Sequence, residues 1–380
     1  MDHGLPENFM SRRWLWRWTC LVVLLTLLAP IGILWCPGAP RWRNHAYRTL
    51  LYGQIAQRTA GCNASQEEAI DRLAEYVQTH LWTPGWAAPY DGTPADYLIR
   101  GIGWCDYQAK SYAVLLATLN IPARYAMLLE ANGNSPHTVA EVRQGNRWGL
   151  YDVFFNLHFV DHRGEPLALE ALSDHPSLLD LQPATITLRH RQPDLAQLIH
   201  GVYARVLPLT VPPRRSRPAT ERLTLFDRLL LLYARAGGPR FVAWYQDQYL
   251  GVPAARAISP AERLLLARHR HLAGRAEEAR QDYLQCVREA AGSLEASEAR
   301  FWLGLLEWEL DDHPGAAART LQALITEEPN SRWTPMAWYY MGRCAEALGQ
   351  PAAARAWYAK SGTTGPVAWS RLVRLETTQH

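Results

Sequence analysis

The 380-residue chain is long enough for two folded domains with accessory segments. Its 48% hydrophobic and 20% charged residues suit a chain that buries a core, and a net charge of +3 argues against a general polyanion or nucleic-acid binder. Six scattered cysteines with no C-x-x-C pair support neither a zinc knuckle, a thioredoxin-type site nor a disulfide framework, so no metal or cofactor is expected.

Near the start, Trp18 to Cys36 is an uncharged run of 19 residues. As a helix it spans roughly 28 Å, about the thickness of a bilayer's hydrocarbon core. Arg12, Arg13 and Arg17 precede it, Arg41, Arg43 and Arg48 follow, and Trp14, Trp16, Trp18 and Trp35 suit the two interfaces. The run is longer than the apolar region of a secretory leader and no A-x-A site follows it, which favours an uncleaved anchor over a cleaved signal. The flanking arginines tie, so charge does not orient the segment. A short N-terminal tail ahead of a first apolar segment usually stays in the cytoplasm, which puts the rest of the chain outside.

Residues 41–61 read as a helix leaving the membrane. Ser65-Gln-Glu-Glu68 is a capping box ahead of Ile70, Leu73, Ala74, Val77 and Leu81 at helical spacing. The stretch 82–94, rich in Pro and Gly, reads as a loop, and 109–119 as a second helix. Strand-like runs follow at 124–129, 138–143 and 148–155, with Asn132-Gly133 and Gly145-Asn146 as turn signals. Beyond about residue 165 these signals fade. Prolines 208, 212, 213 and 218 mark a linker, after which the chain reads as helical to its end. That tail repeats weakly: 302–310 aligns with 340–348, a period of 38, each followed by a proline and an alanine-rich helix. An earlier copy runs from Leu264 to Tyr283.

Three residues carry a chemical pattern. A reactive thiol gains from a helix N-terminus, where the dipole stabilises the thiolate, and needs a base that a third group orients. Gly101-Ile-Gly-Trp-Cys105 offers the first, just ahead of the helix expected from Ala109. His137 begins one strand and Asp152 ends the next. A hairpin at Gly145-Asn146 pairs the two runs antiparallel and can bring His137 beside Asp152. Each also has a plain structural reading, as a buried thiol, an edge-strand histidine and a turn aspartate. Trp104 is either an oxyanion-site wall or packing, Asp106 a solvated or capping charge, and Arg124 a structural partner of a carboxylate. His158, Asp161 and His162 read as a polar loop rather than a metal site.

The string GIGWCDYQAKSYAVLLATLNIPARYAMLLE resembles the transglutaminase-like core, HTVAEV is similar to that family's H-x-W-x-E-V, and the Trp148–Asp152 spacing is similar to its tryptophan and acid. The resemblance covers roughly residues 65–165. It implies a papain-like α+β fold that attacks carboxamides through a thioester, with Cys105 as nucleophile, His137 as base and Asp152 as orienting carboxylate. The sequence departs from the pattern at Val139, where the family often has tryptophan, and at Asn120, where a glycine is usual. The helical tail resembles tetratricopeptide repeats.

The resulting expectation is an N-terminal tail (1–17), a transmembrane anchor (18–36), a transglutaminase-like domain (41–204), a linker (205–221) and a repeat domain (222–380). Function is expected to be that of a single-pass, bacterial inner-membrane thiol enzyme with its catalytic domain periplasmic. It would cleave or transfer an acyl group on a peptide, protein or cell-envelope substrate, hydrolysis being slightly preferred because nothing marks an amine-binding channel. The alternatives are a non-catalytic scaffold whose repeats bind a protein partner, and a papain-type endopeptidase, whose acid position is usually asparagine.

Overall fold

The computed structural model describes residues 16–24, 28, 32, 40–83, 92–130, 132–180, 182, 193–207, 219–220, 223–250, 258–361, 368 and 371. Residues 18–24, 28 and 32 of the expected anchor are helical, and the remainder of 18–36 lies outside the described residues. Among the described residues no helix is long and apolar enough to cross a membrane.

The chain divides into two compact units, 1–50 with 223–252, and 51–222 with 253–380. In the first, the opening of α1 (Pro40–Ala60) packs with α7 (Leu225–Leu250). Asp227 joins them, accepting from His45 Nε2 (2.7 Å), Thr49 Oγ1 (2.9 Å) and the Thr224 amide (2.8 Å). Burial opposes its charge, yet these bonds hold the carboxyl down to about 2. The helix that follows the expected linker thus groups with residues 1–50, and the repeats begin later than residue 222.

In the second unit the capping box at Ser65 starts α2 (Gln66–His80), as Ser65 and Glu68 exchange side-chain and backbone bonds. A second capping box, Thr93 with Asp96, starts α3 (Pro94–Arg100) at the end of the expected loop. Next come α4 (Cys105–Thr118), β1 (Ala123–Leu128), β2 (His137–Gln144), β3 (Arg147–Asp152) and β4 (Leu157–His158). The helix α5 (Leu169–Asp174), a 3-10 turn (Pro176–Leu179), α6 (Pro193–Val206) and β5 (Ala219–Thr220) complete this α+β region. The sheet is antiparallel, in the order β4-β3-β2-β1-β5.

The linker expectation changes in two places. Its first residues finish α6, and Ala219–Thr220 pair with β1 as a short edge strand, while residues 208–218 lie outside the described residues. The helix expected from Ala109 begins four residues earlier, at Cys105 itself. Asn120 sits at φ +60, a conformation asparagine tolerates better than most residues. Both faces of the sheet are covered. α4 packs on β1 and β2 from one side and is buried nearly all round. On the other side Leu128, Val139 and Leu150 meet Phe155, Leu172, Ile199 and Tyr203. Val139 is thus a core residue of the sheet.

Among the described residues the repeats form three helix pairs, α8 (Pro260–Leu272) with α9 (Ala276–Glu289), α10 (Leu294–Glu309) with α11 (Pro314–Glu327), and α12 (Thr334–Ala347) with α13 (Pro351–Ser361). The period of 38 reflects one requirement. Gly304 and Gly342 hold equivalent positions, and a Cβ at either would run into Leu321 or Tyr358 of the pair's second helix. Larger residues fill the space between pairs, with Phe301 stacked on Trp333 at 4.9 Å. The repeats also join the α+β region through buried and half-buried polar pairs. His80 bonds Glu309, while Arg343 and Arg371 both bond Glu75.

Candidate active site

The hairpin sets the first geometry. Gln144 pairs with Arg147 across the two-residue loop Gly145-Asn146, with Gly145 at φ +57, as tight hairpin turns favour. The register Glu141↔Leu150 puts odd-numbered residues of β2 and even-numbered residues of β3 on one face, so His137 and Asp152 share it. His137 Nε2 lies 2.7 Å from Asp152 Oδ2, with both side chains buried.

Asp152 is fully buried yet well supplied with donors. The Tyr203 hydroxyl donates to Oδ2 at 2.7 Å and the Phe155 amide to Oδ1 at 3.1 Å. Three donors on one carboxylate fix its plane and, with it, the imidazole. Rings of Phe154, Phe155 and Tyr203 surround His137 at centroid distances of 5.9, 5.1 and 6.0 Å, keeping the pair away from bulk water.

Cys105, half-buried, is the first residue of α4, so its N–H and those of Asp106 and Tyr107 have no intrahelical acceptor. Trp104, the residue before the helix, offers no side-chain cap, and Asp106 pairs with Lys110 at 3.2 Å. The Cys105 thiol lies close enough to the His137 ring to favour its protonated form. Burial works against an imidazolium here, but the Asp152 carboxylate, helped by its hydrogen bond and by Cys105, overrides it and raises His137 to about 10. Tyr203 is pushed well above its usual range by burial and by Asp152, so it stays a donor. A thiol, an imidazole and an orienting carboxylate are the groups that thiol acyl transfer requires.

The loop ahead of the thiol is braced by Leu81 to Thr83. Trp82 donates to the Gly101 carbonyl and accepts from the Gly103 amide, both at 3.0 Å. Gln108, one turn into α4, reaches back to the Leu81 carbonyl at 2.7 Å.

Of the other candidates, Arg124 pairs with Glu141 at 2.7 Å across β1 and β2. Asp161 accepts from the amides of Arg163 and Glu165 at 2.8 and 3.0 Å, closing a turn, and His158 stacks on Tyr151. Tyr203 is the residue that sequence reading missed. The available signal was the spacing of Ala196, Ile199, Tyr203 and Val206, which marks one face of a helix.

No curated protein matches the chain. Residues 53–153 match the sequence profile of the transglutaminase-like superfamily, a span that contains Cys105, His137 and Asp152. Residues 298–331, covering most of α10 and all of α11, match that of the tetratricopeptide repeat. The chain therefore carries a transglutaminase-like core domain and, in its C-terminal region, a tetratricopeptide repeat.

Proposed function

We propose that this chain is a thiol enzyme with a papain-like α+β core, in which Cys105 attacks a carboxamide, His137 moves the proton and Asp152 orients His137. The observation that carries the reading is the buried His137, bonded to Asp152 at 2.7 Å and held protonated in part by the neighbouring Cys105. The thiolate adds to the amide carbon, and the negative charge passes to the carbonyl oxygen, within reach of the Cys105 N–H at the start of α4. His137 donates its proton to the leaving nitrogen, which departs as an amine or ammonia and leaves a thioester. Water or a second amine then attacks, gives its proton to His137, and releases the acyl group as acid or new amide.

Hydrolysis is preferred to cross-linking, on a peptide, protein or cell-envelope substrate. The domain layout follows the sequence: residues 18–36 as an uncharged anchor in a bacterial inner membrane, a periplasmic core to about residue 204, and a repeat region that offers a surface for a protein partner.

The test is alkylation of the full chain with iodoacetamide across pH, each cysteine being followed by peptide mass. Cys105 should label faster than exposed Cys62 at neutral pH, and His137→Ala should remove the difference. Burial raises Cys286 to about 11 and Cys344 to about 12, so both stay silent. Equal rates at Cys105 and Cys62 in the unaltered protein would defeat the proposal. Ammonia release from a glutamine peptide, with and without added primary amine, separates hydrolysis from transfer.

A further inference from the structure

The loop that delivers Cys105 is gripped from the repeat side as well. Arg268 on α8 is 1% exposed. It donates through Nε to the Ile99 carbonyl at 3.0 Å and through Nη2 to the Leu98 carbonyl at 2.9 Å. These carbonyls lie in the last turn of α3, where they have no intrahelical partner and form the negative end of the helix dipole. The guanidinium lies on Trp302 of α10, its Cζ 3.4 Å from the ring centroid. Trp302 in turn is held by its Nε1–H to Glu298 at 3.2 Å, whose other oxygen takes Arg332 at 2.9 Å.

The edge of that indole rests on Gly101. A Cβ there would overlap Cζ2 and Cη2 of Trp302, and Gly101 sits at φ +68 as the C-cap of α3. Four residues later comes Cys105. An apolar side chain at position 268 would fill the same space without the cost of burying a cation. What arginine adds is a rigid fork that fixes two carbonyls at once. The stack of Trp302, Arg268 and the end of α3 thereby determines where the Gly101–Trp104 loop starts.

We infer that Arg268 and Trp302 are positioning residues of the thiol site: through Leu98, Ile99 and Gly101 the repeat region sets the placement of Cys105 against His137. This rests on the thiol–imidazole reading above and assigns the repeats a part in the active site besides any partner surface.

The experiment uses the full chain and the rate and pH profile of Cys105 alkylation, with Cys62 as the internal reference. Arg268→Met should slow Cys105 labelling near neutral pH by about tenfold to a hundredfold, the effect of moving a reacting group by about an ångström. Its pH profile should shift toward that of Cys62, whose own rate is unchanged, and Arg268→Lys should recover part of the loss. Gly101→Ala should act in the same direction, and Gly101→Ala/Trp302→Phe, which removes the overlapping ring atoms, should label faster than Gly101→Ala alone. Two merely destabilising changes would instead compound.

If His137→Ala leaves the Cys105 rate unaltered in the parent protein, the thiol–imidazole reading has failed and this inference falls with it. If His137→Ala abolishes the reactivity while folded Arg268→Met and Gly101→Ala keep the parent rate and pH profile, the inference alone is overturned. Should Arg268→Met fail to fold, the Gly101→Ala pair decides, and the absence of recovery in the double variant overturns it.

Discussion

Replacing Asp152 by asparagine keeps the side chain's shape and its capacity to accept from His137 Nε2–H, and removes one negative charge. Holding the imidazolium up at about 10 against an ordinary 6.5 amounts to about 5 kcal/mol, at about 1.4 kcal/mol per pH unit. Since asparagine still accepts that hydrogen bond, roughly 3–5 kcal/mol is the expected loss, the usual cost of breaking a buried ion pair. The sign follows from the direction of the shift. A histidine raised in the folded state contributes stability that is complete below about 6.5 and is lost as pH rises through about 10. The parent protein should therefore lose stability across that window, and Asp152→Asn, already without the contribution, should be nearly flat. In the variant burial dominates and leaves His137 neutral at neutral pH, so Cys105 loses its cationic neighbour and labels at the rate of an ordinary thiol. The assays are thermal unfolding at several pH values and Cys105 alkylation on the same samples. Matching pH profiles for parent and variant would refute the role given to the carboxylate.

Tyr203→Phe removes one of three donors to Asp152 and should cost about 1.5–3 kcal/mol, the worth of a bond to a charged group, while Cys105 labelling stays dependent on His137; chemical denaturation and alkylation measure the two effects. His80→Ala strands Glu309, whose buried carboxyl is held well below its usual range by His80 and His271 against the opposing pull of burial. The loss should be roughly 3–5 kcal/mol near neutral pH and should close in acid, because a depressed carboxyl stabilises the fold above its unfolded value and stops doing so as pH falls through the folded one; thermal unfolding at neutral and acid pH reads this. Gly304→Ala puts a Cβ 2.8 Å from Cγ and Cδ2 of Leu321, and should destabilise the repeats by roughly 1–3 kcal/mol in urea followed by circular dichroism, with Leu321→Ala relieving part of it.

What could be read from the sequence was local. Ser65 and Glu68 mark a helix start through their own bonds, and Gly145-Asn146 fixes the hairpin register because a two-residue loop leaves little freedom. From that register the neighbourhood of His137 and Asp152 follows, and the matched glycines at 304 and 342 mark the close approach of paired helices. The misses are long-range or weakly patterned. Cys105, Asp106 and Tyr107 have middling helix propensity, so local pattern marks α4 only from Ala109, although the helix starts at the thiol. Two residues are too few to show strand alternation, which hid Ala219–Thr220. Tyr203 reaches Asp152 across 51 positions, and Arg268 reaches Leu98 across 170, so neither carries a local sign of its partner. An arginine is read as a surface residue unless something shows what would pair with it inside.

In the proposed reaction charge is moved more than it is created. His137 and Asp152 balance each other in the interior, so the proposed thiolate is the one further charge of the reacting groups, and it sits at the N-terminal end of α4. As sulfur attacks, that negative charge travels to the carbonyl oxygen, and the same helix end can follow it over the short distance. The imidazolium loses its proton only when the leaving nitrogen takes it, and it regains one from whichever nucleophile opens the thioester. The residues that hold charge therefore serve both halves of the cycle equally. Water and an amine are told apart by what can reach the thioester carbon, a matter of the surface around Cys105 and not of the Cys105, His137 and Asp152 geometry.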